Sequence, residues 1–234
     1  MALAAACAFE AQGEGRVVEI IDARSFRLDD GREVRLVGIE PAPTATAKPA
    51  LAAILAGHEV TLRGSDDAPD RYGRQAAFAL LDNSETTVQS LLLSQGEALV
   101  STEVADTACA ATLFAAEAEA RRAKRGTWAD TSAIKNAKSP DDILAEIGRF
   151  TVVEGRVMSV RQAGATTYLN FGRSWTRGFA VTISKRAAAA FESAGIALKL
   201  LENKLIRVRG WVEARPGPRI EATRVGQIEL LGTN

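Results

Sequence analysis

Residues 15–40 read GRVVEIIDARSFRLDDGREVRLVGIE. Valine, isoleucine and phenylalanine dominate Gly15 to Leu28, which is strand material. Asp29-Asp30-Gly31-Arg32 is a turn, with Gly31 at a position that tolerates positive φ. Glu33 to Ile39 alternates and returns as a second strand, ended by Pro41-Ala42-Pro43. A short strand pair with a buried face needs partners, and the sequence on both sides supplies them.

Downstream, Ala45 to Ala56 is rich in alanine and leucine and closes at Gly57, which predicts a helix with a glycine stop. His58 to Arg63 and Arg74 to Leu81 are further strands, separated by a polar loop from Ser65 to Gly73. Thr86 to Leu93 has helical periodicity and ends at Gln95-Gly96. Ala98-Leu99-Val100 is a short strand. Ala108 to Arg125 is an amphipathic helix with Arg121, Arg122, Lys124 and Arg125 at its C-terminal end, where cations suit the helix dipole. Gly126 stops it, and Trp128 is expected to fold back onto the core.

The chain has 234 residues, enough for one large or two small domains. No run approaches the roughly 18 apolar residues of a membrane helix. The formal net charge is zero but unevenly spread: residues 1–145 hold 15 basic against 22 acidic side chains, and residues 146–234 hold 14 against 7. That split predicts two units, either with different partners or docked on each other.

The single histidine, His58, follows a helix end and has no neighbours that would make it a ligand or a base. Cys7 and Cys109 fit no zinc spacing. The first residues, MALAAAC, resemble the tail of an export signal without its basic start. Export would place Cys7 and Cys109 in an oxidising compartment where they can pair. A lipid-modified Cys7, or a cytosolic tail with two thiols, are the alternatives. The expected location is periplasmic or secreted.

Three stretches form a pattern: Asp22-Ala23-Arg24-Ser25, then Arg35-Leu36-Val37-Gly38-Ile39-Glu40, then Asp70-Arg71-Tyr72-Gly73-Arg74. With Trp128 after an Ala- and Glu-rich helix, they make residues 15–129 resemble the staphylococcal nuclease (thermonuclease) family. The resemblance implies a five-stranded barrel with helices and a calcium-dependent phosphodiesterase acting on DNA and RNA. In that chemistry two carboxylates hold the metal, a glutamate activates water, and two arginines stabilise charge on the phosphate. Arg35 and Arg74 match the two arginines, and Glu40 matches an acid. Arg24 stands where the family has a second carboxylate of its first loop, and Pro43 stands where it has the general base.

No acid lies between Glu40 and Glu59 to restore that base. A cation at Arg24 would sit where calcium, with its six to eight oxygen ligands, should be. Two unit positive charges at about 4 Å repel by roughly 4 kcal/mol at an effective dielectric of 20. The expectation is therefore no metal site and no cofactor. Arg24 is expected to pair with Glu40 and with Asp22. Arg24, Arg35 and Arg74 are expected to share one phosphate-binding cleft. Asp70 and Tyr72 are expected to hold the loop that delivers Arg74, unless Tyr72 is a core ring.

After a linker at 131–147, a second unit begins near Gly148. Phe150–Val160, Thr166–Phe171, Gly178–Ser184, Leu205–Glu213 and Arg219–Leu231 read as strands, with a helix at Lys185–Ala194. Three strands, a helix and two strands is the order of an OB-type barrel. The fold class expected is thus α+β, mainly β: a nuclease-type barrel at 15–130, preceded by a tail at 1–14, and a second small five-stranded barrel at 148–234. Aromatic residues there interleave with arginines. Phe171, Phe179 and Trp211 are expected in the core at period two. Arg173, Trp175 and Arg177 are candidate contacts to nucleic acid.

Three functions remain open on sequence: a catalytically weak or inactive module binding nucleic acid or another polyanion, a divergent active nuclease, and an envelope protein-interaction module.

Overall fold

The computed structural model describes residues 7, 9–65, 67–81, 84–104 and 106–232. They form two compact units, 1–130 and 131–234.

In the first unit, five strands close into a barrel in the order β1-β2-β3-β6-β5: β1 (Ala11–Ile20), β2 (Ser25–Leu28), β3 (Glu33–Leu36), β5 (Glu59–Arg63) and β6 (Arg74–Leu81). The predicted single strand from Gly15 to Leu28 is two antiparallel strands. The chain reverses at Ile21–Arg24, where Asp22 accepts a hydrogen bond from the Arg24 amide at 2.8 Å. A short polar side chain that bonds the backbone two residues on is a turn-former, and the run of β-branched residues around it masks the signal. β1 serves two neighbours, β5 through residues 11–16 and β2 through residues 17–20. Its register slips between Val17 and Glu19; a bulge of this kind bends a strand enough for a small barrel to close. Because β1 starts at Ala11, residues 11–14 belong to the barrel and not to a tail. Closure comes from β3 pairing parallel to β6.

Phe26, Val34, Leu36 and Leu62 fill the barrel, and Leu92, Leu93 and Leu113 seal it. The sealing leucines come from α2 (Val88–Gln95) and α3 (Thr107–Arg122); α1 (Ala47–Leu55) adds Leu51 and Leu55. The glycine stop of α2 is geometric. Gly96 sits at φ 76°, and a Cβ there would lie 2.2 Å from the Arg125 carbonyl oxygen. Trp128 is buried, as expected. A disulfide joins Cys7 to Cys109 in the first turn of α3. Outside the barrel, β4 (Ile39–Pro41) pairs with β7 (Ala98–Val100).

The second unit is one eight-stranded sheet. Its strands are β8 (Ile134–Asn136), β9 (Phe150–Arg156), β10 (Ser159–Ala163), β11 (Thr166–Asn170), β12 (Ala180–Ser184), β13 (Leu205–Ala214), β14 (Pro218–Glu221) and β15 (Ile228–Leu230). They run β10-β11-β12-β14-β13-β9-β8, with β15 on β13. The sheet does not close, which corrects the second five-stranded barrel. The predicted strand from Phe150 to Val160 breaks at Val157-Met158. Val157 there bonds to Lys204 and Asn203, and Met158 bonds to Asn170, so its two halves pair with opposite ends of the sheet. Residues 131–147 are no linker. They carry β8, which adds a parallel strand to β9, and the short helix α4 (Pro140–Leu144), whose Ile143 is fully buried.

Helix α5 (Lys185–Ser193) packs Phe191 onto a core that includes Phe171, Phe179, Val181, Ile206 and Val208. Phe171 and Phe179 are in the core as expected. Trp211 is not: it is 50% exposed. On β13 the core-facing residues are Ile206, Val208 and Val212, so the strand alternation puts Trp211 on the opposite face. There it packs edge-on against Phe150.

Candidate phosphate-binding site

The site lies where the barrel meets the β4–β7 ribbon. Three segments meet there: the 21–24 turn, the end of β3, and β4.

Glu40 is placed by a relay of backbone contacts. Gln89, fully buried on α2, donates to the carbonyls of Val37 and Ala77 where β3 and β6 diverge. Gly38 turns the chain at φ 79°, and a Cβ there would lie 2.9 Å from both Leu113 and Val104. The next residues enter β4, where Glu40 lies opposite Leu99 of β7. β7 is in turn held by α3, because the buried Glu117 accepts from the Val100 amide at 2.7 Å. Neither Gln89 nor Glu117 stands out in the sequence; each reads as one polar residue in an amphipathic helix.

Glu40 is 5% exposed. Arg24 Nη1 lies 2.5 Å from its Oε1, and Arg35 Nη2 lies 4.0 Å from the same oxygen. Arg24 also donates to the Ile39 carbonyl at 3.3 Å. Burial pushes the Glu40 carboxyl above its ordinary value, while the Arg24 guanidinium pulls the other way. The charge of Glu103, on the segment after β7, adds to the upward push. Glu103 lies 63 residues from Glu40 in sequence, and no motif marks it. Asp22 bonds the Arg24 backbone and not its guanidinium. Lys48 of α1 donates to the Ile21 carbonyl at 2.9 Å and pins the turn from the other side.

Arg35 and Ser25 are opposite one another on β3 and β2. Arg35 Nε and Ser25 Oγ are both buried and make no hydrogen bond among the described residues. Buried polar groups usually find a partner, so this pair is poised to receive one.

Arg74 is held by Asp70. It opens β6 opposite Glu33 of β3. Its Nε and Nη2 donate to Asp70 at 3.1 and 2.8 Å, and its amide donates to Asp70 as well. These bonds hold the Asp70 carboxyl at about 2. Tyr72 is no core ring: it is 65% exposed, with the Arg71 and Arg74 guanidinium carbons 4.7 and 5.0 Å from its centroid. Direct contacts link Arg24, Glu40 and Arg35 in one set and Asp70, Tyr72 and Arg74 in another; Asp70 chiefly, and also the charges of Glu33 and Asp22, raise the Arg74 guanidinium above its ordinary value. Pro43 is exposed beyond β4.

Comparison with known families decides the class of this unit: residues 33–130 match the staphylococcal nuclease homologue family. The chain carries a staphylococcal nuclease homologue domain. The match begins at β3, so it includes Arg35, Glu40 and Arg74 and leaves the Arg24 turn and the second unit outside. No curated protein matches the chain.

Proposed function

We propose that the nuclease-type domain of this chain binds the phosphodiester backbone of nucleic acid and hydrolyses it weakly or not at all. The Arg24–Glu40 ion pair carries this reading. Calcium needs six to eight oxygen ligands. Here the acid that would serve it is already engaged by a guanidinium at 2.5 Å, and among the described residues no three His, Cys, Asp or Glu side chains gather as a metal-holding set. The residues present do not fit calcium. Pro43 offers no proton acceptor at the position of the family's base.

Binding is what the remaining groups favour. Arg35 presents a buried Nε without a partner, and Arg74 stands on the next strand, fixed by Asp70. Fixed guanidinium groups suit phosphate, which they grip with paired N–H donors. The domain's family supports nucleic acid as the source of that phosphate. The Cys7–Cys109 disulfide supports a periplasmic or secreted location, since such bonds persist in oxidising compartments. Among the described residues, no helix is long and apolar enough to cross a membrane.

The test is an assay of purified protein on single- and double-stranded nucleic acid, with calcium and with chelator. The expected result is binding in chelator that weakens in Arg35→Ala, without chelator-sensitive cleavage. Cleavage that needs calcium and disappears in Arg35→Ala overturns the reading. One observation favours a second reading, slow hydrolysis with Glu40 as proton acceptor: the raised Glu40 carboxyl is a better base than an ordinary glutamate.

A further inference from the structure

The second unit offers a different surface. On the face of β10-β11-β12-β14 that points away from its core, strand register sets two rows. Arg161, Tyr168, Thr182 and Glu221 lie side by side in one. Ser159, Asn170, Ala180 and Arg219 form the next, about 7 Å further along the strands. Beyond the second row, β11 runs into the 171–179 loop, which carries Arg173, Trp175 and Arg177.

Trp175 is 77% exposed, the most exposed large apolar side chain of the described residues. Its loop is nonetheless built. The Gly178 amide donates to the Ser174 carbonyl at 2.7 Å, and the Ser174 and Thr176 hydroxyls are 3.2 Å apart. The β13–β14 turn packs backbone to backbone against it, so that a Cβ on Gly217 would lie 2.9 Å from the Thr176 carbonyl oxygen. Ordered backbone that holds a tryptophan out in water suggests a ligand that covers the ring. The cations beside it point to the ligand's charge. Arg161, Arg173 and Arg177 are exposed and make no ion pair among the described residues; Arg219, whose Nε is buried, lies opposite Glu213 of β13, and Glu221 is the acid of the first row.

We infer that this face binds single-stranded nucleic acid, with a base stacked on Trp175, a second near Tyr168, and the arginines following the phosphates. Stacking requires a base whose face is free, which a duplex does not offer along its length. The exposed guanidinium groups of Arg161, Arg173 and Arg177 supply cations of the kind that single-strand binders use along the phosphates. This surface belongs to the second unit, and its reading does not depend on the one given for the nuclease-type site.

The experiment is fluorescence anisotropy of the full chain with a labelled oligothymidylate of about 12 nucleotides, in chelator. Loss of one stacked base predicts that Trp175→Ala weakens binding by about 5- to 150-fold, with Trp175→Phe recovering most of it. Arg173→Ala and Arg177→Ala should each flatten the salt dependence by about 0.7 in log–log slope. Unlabelled polyphosphate should compete poorly, because it offers charge without bases. The inference is overturned if Trp175→Ala binds as tightly as the parent, or if polyphosphate competes equally mole for mole of phosphate. If Arg35→Ala removes binding while Trp175→Ala leaves it intact, this inference falls and the nuclease-site reading stands. Loss in Trp175→Ala alone has the reverse meaning.

Discussion

Arg24 and Glu40, sixteen residues apart in sequence, meet through a 2.5 Å ion pair with side chains only 19% and 6% exposed. The turn between β1 and β2 thus closes against β4, the strand that follows β3. The same contact removes the carboxylate from any competing cation.

Breaking that contact from one side should be costly. Arg24→Ala leaves a buried carboxylate without its counter-charge, and such truncations destabilise by about 3 kcal/mol. Glu40→Gln leaves only a partly exposed arginine and should cost less. Urea unfolding at pH 7 measures both, and the double variant Arg24→Ala/Glu40→Gln should be more stable than Arg24→Ala alone. Equal loss in the two single variants would show that the pair carries no special energy. The pH dependence has a definite sign. The Glu40 carboxyl is raised in the folded state, so protons favour that state, and this contribution fades as pH rises through the folded value.

The converse experiment restores what the resemblance calls for. Arg24→Asp combined with Pro43→Glu supplies a carboxylate and a base at the two departing positions. Calcium should then raise the unfolding temperature of the variant and leave the parent unmoved. A ligand at a hundred times its dissociation constant contributes about 2.7 kcal/mol. Calcium-dependent cleavage should appear in the variant alone. A parent protein that calcium stabilises equally would show that Arg24 does not block the ion.

Asp70 titrates well outside the usual range. Its carboxyl is lowered from 3.8 to about 2 by Arg74 and by the amides of Arg74 and Tyr72. A lowered acid stabilises the fold above its unfolded value and loses that contribution as pH falls, here between about 4 and about 2. Carbon-detected NMR of the carboxyl should place the midpoint near 2. Asp70→Asn should free Arg74 and weaken phosphodiester binding without changing it between pH 5 and 8. A midpoint near 3.8 would mean that the bonds to Arg74 do not persist in solution.

The Cys7–Cys109 bond spans 102 residues of sequence. Cross-linking so long a loop restricts the unfolded chain, and its loss should cost about 3–4 kcal/mol. Urea midpoints with and without reductant measure this. An unchanged midpoint would show that the thiols are already reduced in the purified protein.

Much of the nuclease-type domain is legible in the sequence. The glycine stops at Gly57 and Gly96, the strand from Arg74 to Leu81 and the long α3 all follow from periodicity and chain punctuation. The turn at Ile21–Arg24 was not, because valine, isoleucine and phenylalanine on both sides read as one strand and a single Asx turn interrupts no hydrophobic pattern. The break at Val157-Met158 escaped for the same reason: a strand that changes partner keeps its alternation. Trp211 was misplaced because period two tells which residues share a face, not which face is inside.

By itself, the sequence determined local conformation and the identity of the groups at the site. Turn residues, alternation and the Asp-Arg-Tyr-Gly-Arg loop are properties of neighbouring residues, and the family resemblance marks Arg24 as an arginine in place of an acid. Only the tertiary structure decided who meets whom. Gln89 reaches the Val37 and Ala77 carbonyls, Glu117 takes the Val100 amide, Glu103 arrives from a remote segment, and Trp211 lies on the face away from the core. Those outcomes depend on how the barrel closes and the sheet stays open. Strand pairing across tens of residues sets them, and local sequence does not encode the distance between side chains that far apart in the chain.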